Sequence, residues 1–274
     1  MIGLLRKNIV TIILLGIMAV GIGLIAYPSL ADWWNSFHQS RAVAAYASLI
    51  TNMSRDEYDR VLNEAWEYNK SIAETGIKWQ MSNAEISEYN SVLNVTGTGI
   101  MAYIDIPKIH VQLPIYHGTE DTILQIAIGH ITGSSLPVGG ESSHCIVSGH
   151  RGLPSAKLFS DLDKLVVGDL WTINVLDQTL TYEVDQIRVV LPTDLTFLAI
   201  EDGKDYCTLV TCTPYGINSH RLLVRGHRVP NVQGNARVTA DALQIEPAYV
   251  APFIGLPIIF ILIIVLIIAT RKKK

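Results

Sequence analysis

The sequence is poor in cysteine and has no pattern of closely spaced metal ligands. Its 274 residues include only three cysteines, and neither a CxxC nor an HExxH motif occurs. The eight histidines are scattered through separate segments. Zinc and other transition-metal sites need such ligands at close spacing. The sequence therefore predicts no metal site, and we expect no cofactor.

Basic residues are also scarce over most of the chain. Six of the 21 lysines and arginines, Arg6, Lys7 and Arg271–Lys274, flank two apolar runs. The other 15 are outnumbered by 25 acidic residues, so the chain between the flanks carries a net charge of −10. A surface of that sign repels phosphate backbones. The composition therefore argues against nucleic acid as a partner.

The two apolar runs predict membrane segments near both ends of the sequence. Ile9–Ala26 and Phe253–Ala269 carry no charge, and each approaches the roughly 20 residues that cross a bilayer core. Basic flanks mark the cytoplasmic side, so we expect everything between the runs to be extracytoplasmic. Ser29 and Ala31 leave a second interpretation of the first run open, a cleaved signal peptide. The second run alone would still hold the chain in the lipid bilayer.

The pattern of apolar residues changes from helical to β-type near residue 99. Apolar side chains recur at helical spacing before it, which predicts one or two amphipathic helices. Seven or eight short β-type runs separated by glycine and proline follow, with short helical pieces near 120–127 and 155–161. So many short strands without long helical crossovers predict a mainly β fold, a closed or nearly closed barrel.

These changes divide the chain into five predicted segments. They are an N-terminal transmembrane helix or signal peptide (1–27), a helical region (28–98) that includes the segment of a possible modified lid, a β-barrel (99–230), a polar spacer (231–247), and a C-terminal transmembrane helix with a basic cytoplasmic tail (248–274).

The three cysteines have different surroundings. Cys145 and Cys207 lie in apolar, strand-like runs and are either small buried side chains or a disulfide pair. Cys212 ends the run Thr208–Cys212 and is followed by Thr-Pro-Tyr-Gly. Side chains alternate along a strand, so Cys207 and Cys212 point to opposite faces and cannot pair with each other. The turn places Cys212 at a barrel rim, where functional residues are often found.

A nucleophilic thiol needs a group that transfers protons and a donor for the oxyanion. His150 ends another apolar run and is flanked by Gly149 and Gly152, while Arg221 follows Cys212 by nine residues. Spacing alone leaves two interpretations open: a Cys212/His150/Arg221 site, or a structural Cys212 with His150 as an ordinary loop residue.

Three motifs resemble the sortase family. TLVTC (208–212) is similar to the family's TLxTC signature, SGHRG (148–152) to its histidine segment, and NSHRLLVRGHR (218–228) to its arginine strand. YIDIPKI, LPIYHGT and the long segment SLPVGGESSHCIVSGHRGLPSAKLF resemble the class C branch, whose members polymerise pilins. The C-terminal apolar run is also typical of that branch. The resemblance covers residues 99–229.

The resemblance implies a sortase-type closed β-barrel of about eight strands and a cysteine transpeptidase. Cys212 would attack the Thr–Gly carbonyl of an LPxTG-like sorting signal and form a thioacyl-enzyme. His150 would handle the protons, Arg221 would donate to the oxyanion or the signal, and Thr211 would bind substrate. The implied partners are LPxTG-type pilin subunits, other surface proteins and the lipid bilayer. The implied location is the cell membrane of a Gram-positive bacterium.

The sequence departs from the class C pattern in one segment. Class C sortases usually carry a lid with an Asp-Pro-aromatic tripeptide, and no Asp-Pro occurs between residues 41 and 98. Trp79 stands at about the right place and is either an aromatic plug over the thiol or an ordinary exposed or helix-packing side chain.

Three functions remain in competition. The leading prediction is transfer of the acyl group to a pilin lysine. The alternatives are attachment of surface proteins to a cell-wall amine, and an inactive membrane scaffold that binds sorting signals.

Overall fold

The computed structural model describes residues 9–231, with side chains from Leu14 onward. The helix expected at 248–274 and nearly all of the polar spacer expected at 231–247 lie outside the described residues, as do residues 1–8.

A single long helix, α1 (Ile9–Thr51), begins the described chain and continues through Pro28. From Leu14 it contains a segment long and apolar enough to cross a membrane, judged by length and composition. Its later part packs on the barrel described below. Tyr46 is buried there, and its hydroxyl donates to the carbonyl of Met101 (3.0 Å) and accepts from the N–H of Leu176 (2.7 Å).

Two shorter helices follow. In α2 (Arg55–Thr75) the Ser54 hydroxyl accepts from the N–H of Glu57, which satisfies one of the free amides of the first turn. The helix α3 (Asn83–Ser91) starts with a capping box between Ser82 and Glu85. The buried face of α2 has the predicted 3.6-residue spacing, with Tyr58, Val61, Leu62, Ala65, Asn69 and Ile72.

The rest of the described chain is a closed barrel of eight strands, which confirms the predicted fold class. The strands are β1 (Ile100–Ile106), β2 (Val111–His117), β3 (Ile128–His130), β4 (Ser143–Ser148), β5 (Leu170–Val175), β6 (Gln178–Val190), β7 (Asp205–Thr213) and β8 (His220–Val229). They follow the order β1-β2-β3-β4-β7-β8-β6-β5 around the barrel. Two neighbouring pairs, β2–β3 and β4–β7, are parallel.

One of the two helical pieces predicted within the barrel is present. The first is the short helix α4 (Asp121–Leu124). The second prediction, at 155–161, is wrong, because the segment forms turns before a 3₁₀ turn at Leu162–Lys164. Leu158 has φ 39°, in the left-handed region, which interrupts a right-handed helix.

The strand directions define two ends of the barrel. The strand pairing shows that β1, β4, β6 and β7 end at the same end of the barrel at which β2, β5 and β8 begin. We call this the lower end. The opposite end is the upper end. The α1 helix runs from the lower end, where Asp32 accepts from the N–H of Lys157, to the upper end at Tyr46.

Buried apolar side chains form two clusters on opposite faces of the sheet. The larger fills the barrel and includes Cys207, Leu209, Leu222 and Val224. The smaller lies on the outer face and consists of Ile146, Val190, Leu198, Val210 and Leu223. The alternation along β7 and β8 is the one expected from strand geometry, and it sends Thr208, Val210 and Cys212 outward.

Candidate active site

Cys212 lies on the outer face near the lower end of β7 and is partly exposed. In the antiparallel pairing of β7 with β8 it stands directly opposite Arg221. Directly opposite residues in such a pair have their Cβ atoms about 4.5–5.5 Å apart and project from the same face. The pairing therefore places a guanidinium-bearing side chain beside the thiol-bearing one.

His150 lies on the other side of Cys212, beyond the end of β4. The parallel pairing of β4 with β7 matches Ser148 with Val210, and the N–H of Gly149 donates to the carbonyl of Val210 (3.0 Å). His150 follows Ser148 by two residues, as Cys212 follows Val210. His150 therefore lies just past the end of the strand on one side of β7, and Arg221 lies on the strand on its other side.

The outer-face cluster forms an apolar floor beside these three residues. Two members of this cluster lie on the same face as the thiol. Val210 precedes Cys212 by two residues on β7, and Leu223 follows Arg221 by two residues on β8. Ile77, Ile131 and Phe197 pack against the cluster from neighbouring loops. Ile77 comes from the loop between α2 and α3, the segment in which the sequence suggested a modified lid.

Arg221 is held by the turn that joins β7 to β8. Its Nη1 group donates to the carbonyls of Asn218 (3.2 Å) and His220 (3.1 Å). A guanidinium has five N–H donors in a planar fork. Because both contacts use Nη1, other N–H groups of Arg221 can be offered to an oxygen of a ligand.

The same turn touches the loop that carries His150. Gly152 has φ +79°, and a Cβ there would lie 2.7 Å from a ring carbon of Tyr215. Only glycine meets both the left-handed backbone and the close approach of the ring without strain. The two loops on either side of Cys212 are therefore packed together.

Arg151, which is not among the predicted site residues, makes a second connection between these loops. Its guanidinium donates to Thr213 Oγ1 (3.4 Å) and pairs with Asp163 (2.5 Å). The side chain is only 11% exposed, and its Nε has no hydrogen-bond partner among the described residues. Arg151 follows His150 and Thr213 follows Cys212, so this contact joins the neighbours of the two predicted catalytic residues.

Thr211, predicted to bind substrate, faces the barrel interior. It is 1% exposed, and its hydroxyl donates to the carbonyl of Gly149 (2.7 Å). The hydroxyl is therefore engaged with the residue before His150, and burial keeps the side chain from direct contact with a ligand on the outer face.

Trp79, the candidate plug, lies away from the thiol. It is 42% exposed and lines a cavity of about 530 Å³ together with Ile77, Ser142, Leu195 and Asp202, among others; neither Cys212 nor His150 lines it. Ser142 and Asp202 precede β4 and β7 at the upper end. Cys212 lies seven residues beyond the first residue of β7, which is roughly 23 Å at the rise of a strand. The residues around Trp79 therefore lie near the opposite end of the strand from the thiol.

The other two cysteines are free and buried in the barrel core, directly opposite each other on β4 and β7. This agrees with the interpretation as small buried side chains. Burial raises the pKa of the Cys145 thiol well above its ordinary value, and the adjacent Cys207 adds to that shift. Cys145 is therefore kept neutral and unreactive.

His144 and His130 are structural side chains. His144 is buried on the outer face, with its ring nitrogens 2.8 Å from the Ala199 carbonyl and 2.7 Å from Thr208 Oγ1. His130 is fully buried, with ring nitrogens 2.8 Å from the Tyr89 hydroxyl and from the Ser135 carbonyl. Burial lowers the pKa of each to about 4. Both are therefore neutral members of the packed structure at neutral pH.

These two histidines should make the barrel less stable in mild acid. In the unfolded chain the two imidazoles become protonated below about pH 6.5. In the folded chain they stay neutral down to about pH 4. Stability therefore falls as pH drops through this window, by up to about 3 kcal/mol per histidine. Burial raises the pKa of Asp105 and Asp205, which opposes part of the loss.

Unfolding of the detergent-solubilised chain at pH 7.5 and pH 5 would measure this effect. His144→Gln should start less stable than the unmodified chain at pH 7.5, because it disturbs the packed contacts. The variant should then lose less stability between pH 7.5 and pH 5 than the unmodified chain does. A variant that kept the full pH dependence would show that His144 does not contribute to it.

Comparisons with known proteins relate the chain to sortases. A family model described as a sortase domain matches residues 104–229. Sortase D of Bacillus subtilis is 30% identical over 129 residues, which are 46% of this chain and 62% of that protein. Sortase A of Streptococcus agalactiae is also 30% identical, over 42% of this chain and 47% of that protein. The chain thus spans less than two thirds of these relatives.

Solved structures give a fuller match. Sortase C1 of Streptococcus agalactiae is 59% identical, with a TM-score of 0.69 over 70% of this chain and 100% of that one. Sortase C of Streptococcus pneumoniae is 42% identical, with a TM-score of 0.61 over 70% of this chain and 97% of that one; its structure is described as informative on catalysis and pilin substrate specificity.

Proposed function

This chain belongs to the sortase family, on its class C branch, and we propose that it is a membrane-anchored cysteine transpeptidase that processes the sorting signals of surface proteins. The observation that carries the proposal is the strand arrangement around Cys212, in which β8 sets Arg221 directly opposite it and the neighbouring β4 ends two residues before His150. The apolar segment of α1 that begins at Leu14 supports anchorage in a membrane. The catalytic barrel then lies on the extracytoplasmic side, at the surface of a Gram-positive cell.

The proposed reaction has two halves. The thiol of Cys212 passes its proton to His150 as Sγ attacks the carbonyl carbon between Thr and Gly of an LPxTG-like signal; the peptide bond breaks, and the leaving amine takes that proton from His150. An acceptor amine then attacks the thioester, the C–S bond breaks, and the proton that the amine loses passes through His150 to Sγ, which regenerates the thiol. Arg221 supplies charge-assisted hydrogen bonds to the oxyanion or to the bound signal.

Thr211 and Arg151 are proposed to position the site rather than to touch substrate. The Thr211 hydroxyl holds the Gly149 carbonyl next to His150, and the Arg151 guanidinium spans from the His150 loop to Thr213 beside Cys212. Both contacts would fix the distance between the thiol and the imidazole. Trp79 does not serve as a cover over the thiol in this proposal, because the cavity that it lines lies towards the upper end.

The proposed acceptor is a lysine amine on a pilin subunit. The support comes from the 59% identity to a sortase C1 and from the similarity to a sortase C described in terms of pilin substrate specificity. Transfer to lysine would form an isopeptide bond and, repeated, a covalent polymer. Attachment of the same acyl group to a cell-wall amine remains the second candidate, since the chemistry at Cys212 would be identical.

Incubating the full-length protein with purified pilin subunits that carry the signal tests the acceptor. We expect a ladder of covalent oligomers that survives boiling in detergent and reductant, with an isopeptide bond identified by mass spectrometry. Subunits lacking the signal are the control and should remain monomeric. Transfer to glycine or to a lipid-linked peptide without any ladder would overturn pilin polymerisation and favour wall attachment.

A further inference from the structure

The proposed catalytic residues all lie at the lower end of the barrel. His150 follows the end of β4, Cys212 is next to the last residue of β7, and Arg221 is the second residue of β8. The α1 helix meets the barrel at this same end, because Asp32 and Asn35 bond to the segment that follows the His150 loop. The thiol and the membrane helix thus approach one end of the barrel.

The first hydrogen bonds between α1 and the barrel flank two tryptophans of the kind found at membrane–water interfaces. Asp32 Oδ1 accepts from the N–H of Lys157 and the Asn35 amide donates to the carbonyl of Ser155, both at 2.6 Å. Trp33 and Trp34, between these residues, are exposed, as are Leu30 and the apolar side chains before it. Tryptophan is enriched at membrane–water interfaces. The lower end therefore begins where the hydrocarbon-spanning part of α1 stops.

Exposed apolar side chains are gathered at this end of the barrel. Val166 and Val167 precede β5, Leu191 follows β6, and Tyr215 and Ile217 lie in the β7–β8 turn; their exposure ranges from 54% to 71%. We call these five residues the apolar rim. Among the described residues of the upper end, the β3–β4 connection and the β5–β6 turn expose no large hydrophobic side chain. Clustered exposed apolar side chains mark interaction surfaces.

We propose that the apolar rim docks the lower end of the barrel on the outer surface of the bilayer, so that the site takes sorting signals presented at headgroup depth. The inference rests on the membrane anchorage and transpeptidase activity proposed above. Continuity with the apolar part of α1 selects the bilayer as the occupant. Apolar insertion is the main attraction, because Lys157 and Lys164 pair with Asp161, and Lys108 pairs with Asp169.

Lipid proximity can be measured without catalysis. In full-length Cys212→Ala, Cys145 and Cys207 are buried, so a fluorophore directed to Val167→Cys labels the rim alone. The control label is at Asp202→Cys, an exposed upper-end position. In nanodiscs of phosphatidylcholine and phosphatidylglycerol with headgroup nitroxides, we expect several-fold stronger quenching at position 167, unchanged by 0.5 M salt. Equal quenching at both positions would overturn the docking.

An activity measurement tests the consequence for substrates. The double variant Val166→Asp/Val167→Asp, in proteoliposomes, should cleave a soluble sorting peptide normally but a lipid-anchored copy about tenfold more slowly, because charged side chains oppose insertion. Ile86→Asp on α3 is the matched control and should affect neither substrate. Equal rates on the anchored peptide for the double variant and the unmodified protein would refute the inference. If the unmodified protein cleaved neither peptide, the transpeptidase proposal would fail, while the quenching result would still decide the docking.

Discussion

Cys212→Ala is expected to abolish processing of a sorting peptide, with a loss of at least about 10⁴-fold in turnover, because no other side chain can form the thioester. The strand pairing places this thiol, and neither of the other two, next to Arg221. Peptide cleavage by the full-length chain in detergent measures the loss. Mass spectrometry of the unmodified protein should also detect a covalent adduct of the acyl part of the peptide, and this adduct should be missing in the variant.

Cys145→Ala is the matched control, because it removes a thiol from the barrel core without touching the outer face. It should keep the adduct and most of the activity while losing about 1 kcal/mol of stability to the small cavity. Retained processing by Cys212→Ala would reject the cysteine mechanism. If the unmodified protein bound the peptide but formed no adduct, the inactive-scaffold alternative would be favoured.

The barrel and the position of Cys212 could be predicted because strand geometry depends on a period of two. Alternation along 207–212 separates Cys207 from Cys212, and the structure places them on opposite faces of β7. The pairing of Cys212 with Arg221 required more, because register between strands depends on the turn and on the whole barrel. The resemblance to known motifs implied that the two side chains act together, and the structure adds that they are directly opposite on paired strands.

Contacts between loops that are distant in sequence could not be predicted from the sequence. The role of Ile77 depends on how the α2–α3 loop lies across the outer face, and that of Arg151 on the position of Asp163 beyond an irregular turn. The short helix α3 is a different case. Its Ser82–Glu85 capping box is a signal carried by the local sequence alone, and it marks where the loop after α2 ends.

Arg221→Met should lower kcat/KM by about 10²–10³-fold, the usual loss when one oxyanion donor is removed. Arg221→Lys should recover only part of it, because an ammonium cannot reproduce the planar fork that bonds the Asn218 and His220 carbonyls while reaching the substrate. Measuring kcat and KM separately distinguishes the two roles proposed for the guanidinium. A fall in kcat alone indicates oxyanion stabilisation, and a rise in KM indicates binding of the signal.

Arg225→Met is the control that separates catalysis from stability. Arg225 lies four residues further along the same face of β8, but it pairs with Asp185 and Glu201 and covers the ring of Tyr206 at 4.0 Å. Its loss should reduce thermal stability and leave kcat within about twofold, since a paired arginine held beside Thr208 has no access to the thioester. Arg221→Met should behave in the opposite way, with near-normal stability and impaired turnover. Unchanged kcat/KM in Arg221→Met would remove the guanidinium from the mechanism and leave oxyanion stabilisation to backbone N–H groups near Cys212.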